Sequence, residues 1–277
     1  MELEILRAIQ QIACPALDAF FIFATLLGGT LPTVAVIAFV YWLIDREAGE
    51  RIAFSLMLSL GINCLIKNVF RLPRPIGEDG IRSLRVETAT GYSFPSGHTQ
   101  NAATLYTSLA LWLKRRWVWA AAAALSLLVA FSRLYLGVHY PKDVLVGLLL
   151  GTILPLCAAR LHRRFPNRTR LYVLFALLLL PPLLLVGDAD FYKFYGLVCG
   201  MALAYPLERR YVHFQTPAST VRSGALRIVL GLILLLVSKL VLGFALPEML
   251  WFQCLTYFVI SFEAFFICPL LFVRLKI

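Results

Sequence analysis

Three short polar segments between residues 67 and 143 carry residue types suited to phosphate chemistry. They contain Lys67 followed after six residues by Arg74-Pro75; then Pro95-Ser96-Gly97-His98; then Ser132-Arg133 with His139 and Asp143. Arginine donates hydrogen bonds in a planar fork that matches the oxygens of a phosphate, and lysine adds a compact positive charge. The three cations Lys67, Arg74 and Arg133 therefore predict a site for an anion.

Two of these segments also offer groups that could act on such an anion. Ser96 and Gly97 stand where a helix is predicted to begin, and unpaired backbone N–H groups at a helix start bind anions. Ser96 could cap the helix or bond a phosphate oxygen, and His98 would lie in the first turn. His139 and Asp143 are four residues apart, so the carboxylate can orient one imidazole nitrogen and leave the other as a nucleophile.

The composition shows which elements must position these residues. Of the 277 residues, 60% are hydrophobic and only 15% are charged, and the mean hydropathy is +0.81. Soluble domains are about half apolar and about a quarter charged, so a soluble fold could not hide this many apolar side chains from water. The composition also excludes a disordered chain and a secreted disulfide framework. The sequence predicts an all-α, polytopic membrane helix bundle.

Helices that cross a bilayer core need about 20 mostly apolar residues. The sequence offers ten such segments, with edges uncertain by several residues. They are 14–28, 31–45, 52–71, 97–114, 117–135, 140–159, 171–187, 191–207, 224–245 and 249–272. We expect a six-span catalytic core in residues 1–160 and a C-terminal extension of about four spans in residues 161–277.

The basic residues predict how the chain is oriented. With the N-terminus and Arg7 placed in the cytoplasm, the inner loops hold about twice as many Lys and Arg as the outer ones, as the positive-inside rule requires. The three polar segments then share the extracytoplasmic end. Losing one span, for example the first, would put the N-terminus outside and leave the rest unchanged.

The net charge of +11 and the cysteines have ordinary explanations in a membrane protein. Loop lysines and arginines account for the charge, and no basic arm or RNA-binding motif indicates a nucleic-acid partner. The six cysteines fall singly in apolar stretches and are expected to be packing residues; they are Cys14, Cys64, Cys157, Cys199, Cys254 and Cys268. The sequence does not indicate an oligomeric state.

The three ordered segments closely resemble the signature of the type 2 phosphatidic acid phosphatase superfamily, and every signature position is filled. The motifs run from Lys67 to Asp143, and the resemblance covers a six-span core in residues 1–160. It implies hydrolysis of a phosphate ester through a phosphohistidine, without a metal or another cofactor. His139 would be the nucleophile, His98 the acid and base, and Asp143 the group that orients His139. Lys67, Arg74, Ser96, Gly97 and Arg133 would hold the phosphoryl oxygens.

The substrate class and some nearby residues stay open at this stage. We expect a lipid phosphate phosphatase of the plasma membrane. Its rivals are a lipid-to-lipid phosphotransferase, a phosphatase for a soluble ester, and a non-catalytic lipid-binding or transport protein. Four further outer basic residues could attract substrate or anchor to lipid headgroups: Arg71, Arg82, Arg85 and Lys142. His162 and His213 are expected to be solvated, and Lys239 and Glu263, inside the last two spans, have no assigned role.

Overall fold

The computed structural model describes all 277 residues, and all of its regular secondary structure is helical. The helices are α1 (Glu2–Gln10), α2 (Pro15–Leu26), α3 (Thr30–Phe39), α4 (Arg46–Phe70), α5 (Gly97–Leu113), α6 (Arg116–Tyr135), α7 (Pro141–Arg164), α8 (Arg168–Leu185), α9 (Ala189–Leu207), α10 (Val221–Ala245), α11 (Leu250–Phe262) and α12 (Cys268–Arg274). π-helical turns follow α3, α9 and α11, and one 3-10 turn covers Val86–Thr88. The predicted all-α membrane bundle is confirmed.

Each of the ten predicted spans is helical, and six helical stretches are long and apolar enough to cross a membrane by themselves. The first two predicted spans form a pair bent by 45°, Pro15–Leu26 with Thr30–Ile44, and a seventh crossing results if that pair is one broken span. The helices α5 and α9 coincide with predicted spans, but they are not among these six stretches. The last crossing, Leu250–Arg274, includes α11 and α12.

The chain divides into two compact units. Unit 1 contains Met1–Val34 and Phe54–Ala158, and unit 2 contains Ala35–Ala53 and Ala159–Ile277. Packing therefore groups residues 35–53 with the C-terminal helices, although sequence order alone places them within the predicted core of residues 1–160. The three polar segments all belong to unit 1.

Unit 2 is held by close helix packing and a buried polar network. In α9, Gly196 and Gly200 lie directly against the backbone of α11, because a Cβ at either position would collide with a carbonyl oxygen there. Arg46 pairs with the buried carboxylate of Glu208 at 2.7 Å. His162, expected to be solvated, is instead only 4% exposed and lies 3.2 Å from the hydroxyl of Tyr172, whereas His213 is exposed.

In unit 1, the amphipathic helix α1 lies at the same end as the polar segments. Arg7 donates to the carbonyl of Asp79 at 2.7 Å, and the side chain of Gln10 bonds both backbone groups of Arg82. Glu2 pairs with Lys142 at 2.9 Å, at the start of α7. The prediction that the N-terminus lies at the end opposite the polar segments is therefore wrong, and the alternative with one fewer crossing agrees with these contacts.

The physical reason is the break between α2 and α3. A Cβ at Gly28 would stand 2.6 Å from the carbonyl oxygen of His98, so only glycine allows this turn to pack against the start of α5. The side chain of Asn101 donates to the Gly28 carbonyl at 3.0 Å and fixes the break. The chain thus continues through a bend where hydropathy suggests two separate spans.

A glycine face on α7 sets the distance to α5. Asp143, Gly147 and Gly151 are spaced by four residues and share one face of α7. A Cβ at Gly147 would lie 3.0 Å from the carbonyl oxygen of Ser96, and one at Gly151 would lie 2.5 Å from that of Gln100. Small residues at this spacing let helix backbones approach closely, as is common in membranes. The face brings Asp143 beside the start of α5.

Gly151→Ala should destabilise the protein by about 1–3 kcal/mol, because an added methyl group in a filled contact forces the backbones apart. Thermal unfolding in detergent measures the effect, and phosphate release should fall with it because α5 and α7 carry the polar segments. Gly243→Ala is the matched control, since a Cβ there meets nothing within 4 Å. Equal stability of the two variants would contradict the packing described.

Candidate active site

The residues predicted to form a site lie together at one end of unit 1. Lys67 lies near the end of α4, Ser96 and His98 at the start of α5, Arg133 near the end of α6, and His139 in the connection to α7. The backbone N–H of Ser96 donates to the carbonyl of Asp143 at 3.0 Å, which joins the starts of α5 and α7. Arg74 reaches His139 from the loop after α4, at 2.9 Å.

His139 is oriented through both of its ring nitrogens. The Nδ1 atom lies 3.2 Å from Oδ2 of Asp143, and Nε2 lies 2.9 Å from Nη1 of Arg74. Since a guanidinium can only donate, Nε2 must accept, which leaves the ring proton on Nδ1 facing the carboxylate. The imidazole therefore presents a lone pair on Nε2 toward the cations, as a nucleophile for phosphorus would.

The surroundings also keep this imidazole neutral. Burial lowers the pKa of His139 well below its ordinary value, and the charges of Arg74, Arg133 and Lys67 lower it further. Only 1% of the residue is exposed. A neutral ring is the reactive form of a histidine nucleophile, so the same cations that attract an anion keep the nucleophile ready.

Asp143 is held by three donors around its carboxylate. Its Oδ2 accepts from the backbone N–H of Tyr140 at 2.9 Å and from the hydroxyl of Ser93, besides facing His139. Its Oδ1 is buried without a hydrogen-bond partner. The carboxylate is thus positioned by the loop before α5 as well as by its own helix.

Arg74 joins three parts of the site. Its guanidinium donates to the carbonyls of Thr90 at 2.7 Å, Gly91 at 3.0 Å and Val138 at 3.0 Å. Burial lowers its pKa to about 10, although the charge of Asp143 opposes the shift. The group is therefore still a cation at neutral pH, held against the loop before α5.

Arg133 is a buried cation with unused donors. It has no exposed surface, its Nη1 donates to the hydroxyl of Thr25 at 2.8 Å, and its Nε and Nη2 have no hydrogen-bond partner. Leaving a buried guanidinium without an anion costs several kcal/mol. Two donor nitrogens without partners on a buried arginine therefore favour a site for an anion beside it.

The remaining predicted residues lie at the same end of unit 1 as Arg133. Lys67 donates to the carbonyl of Tyr92, Ser96 is fully buried with its hydroxyl 3.0 Å from that of Thr99, and His98 is half-buried in the first turn of α5. A Cβ at Gly97 would contact only Asn63, at 3.7 Å. All eight predicted residues therefore lie at this end of unit 1. No group of three or more His, Cys, Asp or Glu side chains in the protein is arranged to hold a metal ion.

Sequence reasoning missed the residues that support the site from outside the three segments. They are Ser93, which bonds Asp143; Thr25 and Thr88, which face Arg133; and Tyr92, which binds Lys67 through its carbonyl. Ser93 carried a weak signal, since it stands two residues before Pro95. Thr25 carried none, because it lies in an apolar helix and reaches Arg133 only through the packing of α2 on α6.

Two family profiles match this chain. Family profiles described as "PAP2 superfamily" and "PAP2 superfamily phosphatase, transmembrane extension" match residues 50–167 and 192–277. The undecaprenyl-diphosphatase BcrC of Bacillus subtilis is 31% identical over 56% of this chain and 80% of its own. A probable sphingosine-1-phosphate phosphatase of Dictyostelium discoideum is 28% identical over 78% of this chain and 59% of its own.

The chain spans only part of some relatives, for example 58% of the undecaprenyl-diphosphatase of Sulfolobus acidocaldarius, which is 30% identical over 44% of this chain. Among solved structures, the crystal structure of Aquifex aeolicus LpxE has a TM-score of 0.52 and 29% identity. The aligned region covers 57% of this chain and 94% of the Aquifex chain. These likenesses are to membrane phosphatases.

Ser93→Ala should reduce the turnover of phosphate release about tenfold, because Asp143 loses a donor that fixes its orientation toward His139. The substrate concentration for half-maximal rate should change little, because the Ser93 hydroxyl bonds Asp143 and not one of the predicted phosphate-binding residues. Ser83→Ala is the control, as that loop hydroxyl bonds only the carbonyl of Gly137. A Ser93 variant as fast as the control would show that Asp143 needs no such support.

Proposed function

Since the chain belongs to the PAP2 superfamily, and is thus a membrane phosphoric ester hydrolase, we propose that it releases phosphate from a lipid monophosphate or diphosphate through a phosphohistidine at His139, without a metal. The observation that carries the proposal is the buried guanidinium of Arg133 with two free donors, beside the neutral imidazole of His139. The similarity to an undecaprenyl-diphosphatase and to a probable sphingosine-1-phosphate phosphatase supports a lipid substrate. Residues 1–160 are proposed to carry the catalysis.

In the first step, Nε2 of His139 attacks phosphorus while the bond to the leaving oxygen breaks. The electron pair of that bond moves to the oxygen, which takes a proton from His98. Arg74 exchanges its contact with Nε2 for a phosphoryl oxygen, and Arg133, Lys67 and the backbone at Ser96 and Gly97 hold the remaining oxygens. Preorganised cations and N–H groups of this kind stabilise charge that spreads in the transition state.

The second step returns the enzyme to its starting state. Water attacks the phosphorus of phosphohistidine and gives a proton to His98, while the phosphorus–nitrogen bond breaks and its electron pair returns to Nε2. Inorganic phosphate leaves. Asp143 holds the proton on Nδ1 throughout, so the charge that develops on the ring in the intermediate lies next to a carboxylate.

The proposed place of this reaction is the extracytoplasmic face of the plasma membrane. The connection at residues 114–116 and the stretch 160–170 are rich in Lys and Arg, which retains short loops in the cytoplasm. The starts of α5 and α7 then lie at the outer surface. A lipid could enter sideways between helices, with its tail in the bilayer and its headgroup at the cations.

Purified protein in detergent with EDTA should release inorganic phosphate from at least one of phosphatidic acid, phosphatidylglycerol phosphate, a sphingoid phosphate and a polyprenyl diphosphate. Orthovanadate should inhibit, because it adopts the five-coordinate shape of the transition state. His139→Ala should be inactive, since no other side chain there is a comparable nucleophile, and labelled substrate should label His139 in the wild type. His213→Asn, which replaces an exposed histidine, is the control.

Each outcome of this experiment separates one alternative. Steady-state activity in His139→Ala would overturn the phosphohistidine mechanism, and activity that EDTA abolishes and magnesium restores would overturn metal independence. Transfer of phosphate to a lipid hydroxyl without free phosphate would make the protein a phosphotransferase. If the protein hydrolysed only water-soluble phosphate esters, its substrate would be a soluble ester and not a lipid.

Single cysteines test the orientation after the six native cysteines are replaced. A membrane-impermeant thiol reagent should label cysteine at Glu78 in intact cells and cysteine at Arg164 only after lysis, because the basic loops anchor the second position inside. Cysteine at Glu4 should behave like cysteine at Glu78, since α1 packs at that end. The reverse pattern for Glu78 and Arg164 would place the site at the cytoplasmic face.

A further inference from the structure

The structure distinguishes the four outer basic residues that the sequence left open. Arg82 forms a two-point ion pair with Asp18, at 2.7 and 2.6 Å, and Lys142 pairs with Glu2 of α1. Arg71 is exposed and donates to the carbonyl of Asn68, at the end of its own helix. The partners of these three residues are not among the eight residues predicted to form the site. Arg85 has a different setting.

The backbone of Arg85 is connected to Arg133 through the side chain of Thr88. Arg85 has a φ of 57° and precedes the 3-10 turn Val86–Thr88. Both the N–H and the hydroxyl of Thr88 donate to the Arg85 carbonyl, at 3.0 and 2.7 Å. The same hydroxyl oxygen lies 3.5 Å from Nη1 of Arg133. One threonine therefore separates the buried cation from this more exposed one.

The side chain of Arg85 has a single, exchangeable partner. Its Nε lies 2.5 Å from a carboxylate oxygen of Glu87, and the two side chains are 31% and 67% exposed. Because the Thr88 hydroxyl joins the Arg85 backbone to Arg133, the charge of Arg85 adds to the positive charge around that buried guanidinium. The pKa of Glu87 is lowered by its own backbone N–H and by Arg85, so the carboxylate is an anion that another anion can replace.

We propose that Arg85 forms a second phosphate subsite, which binds the inner phosphate of a diphosphate lipid when that phosphate displaces Glu87. The inference rests on the proposed function and narrows its substrate class to lipid diphosphates. A prenyl monophosphate has only a carbon chain beyond its ester oxygen, so it offers Arg85 no second anion to bind. A diphosphate places a second anionic group there, one bridging oxygen from the phosphorus that His139 attacks.

The two substrates also differ in the charge that develops on the leaving group. When His139 attacks the terminal phosphorus of a diphosphate, the bond to the bridging oxygen breaks and its electron pair stays on the lipid monophosphate that leaves. Negative charge thus grows on the inner phosphate in the transition state, where a cation stabilises it. In a monophosphate ester the charge grows on an alkoxide, which instead needs the proton from His98.

Farnesyl diphosphate and farnesyl monophosphate, which share one tail, provide the test in detergent. Arg85→Gln should lower kcat/KM for the diphosphate about tenfold, the loss of one charge-assisted contact, and change it less than twofold for the monophosphate. Arg71→Gln is the matched control, because Arg71 carries the same charge and also has a positive φ, of 49°. It should leave both substrates unchanged.

A second variant and a wild-type measurement keep the test decisive if Arg85→Gln folds poorly. Glu87→Gln removes the competing anion and should lower KM for the diphosphate only. Methylenediphosphonate should inhibit the wild type at least tenfold more strongly than methylphosphonate. Equal effects of Arg85→Gln on both substrates, or equal inhibition by the two phosphonates, would overturn the subsite and leave the proposed function standing. Wild-type protein inactive on every lipid phosphate would instead overturn the proposed function.

Discussion

The site depends on a buried, uncompensated arginine. Arg133 lies wholly inside unit 1 with no carboxylate partner, and two of its nitrogens have no hydrogen bond. Such a group is costly to bury, so the surrounding structure must hold it in place by other contacts. The hydroxyl of Thr25 takes one donor, and the close packing of α7 on α5 provides a rigid frame. This unsatisfied charge is the basis of the proposal that the site binds an anion.

Burial and the neighbouring cations together keep the His139 imidazole neutral. A cluster of cations beside a buried imidazole disfavours its protonation, and Arg74 faces Nε2, so the ring is neutral with its lone pair toward the anion place. Asp143 then has one task, which is to keep the proton on Nδ1. Ser93 and the Tyr140 N–H hold that carboxylate, so a loop residue outside the signature contributes to the orientation of the signature histidine.

The loop before α5 connects the candidate site to the N-terminal helices. Its backbone carbonyls bind Arg74 and Lys67, and its 3-10 turn contacts Arg133. Its residues 79–82 are bonded to α1 and α2. The amphipathic helix α1 is therefore part of the scaffold that holds the loop. Asp18 at the start of α2 pairs with Arg82 of the same loop, and Glu2 of α1 pairs with Lys142 at the start of α7.

The sequence by itself determined the class of fold and predicted the candidate site. Apolar composition and segment length are sufficient to predict membrane helices, because these patterns are local in the chain. The predicted reactive groups also follow from local spacing, that of Lys67, Arg74, His98, Arg133, His139 and Asp143. The tertiary structure decided what depends on contacts between distant residues. The bend at Gly28 joins two predicted spans and moves the N-terminus to the end where the site lies, since it needs the backbone of His98 as its neighbour. Thr25 and Ser93 become supports only where packing brings them to Arg133 and Asp143, and Arg85 differs from Arg71 and Arg82 only through its neighbours, which no local pattern of charge can specify.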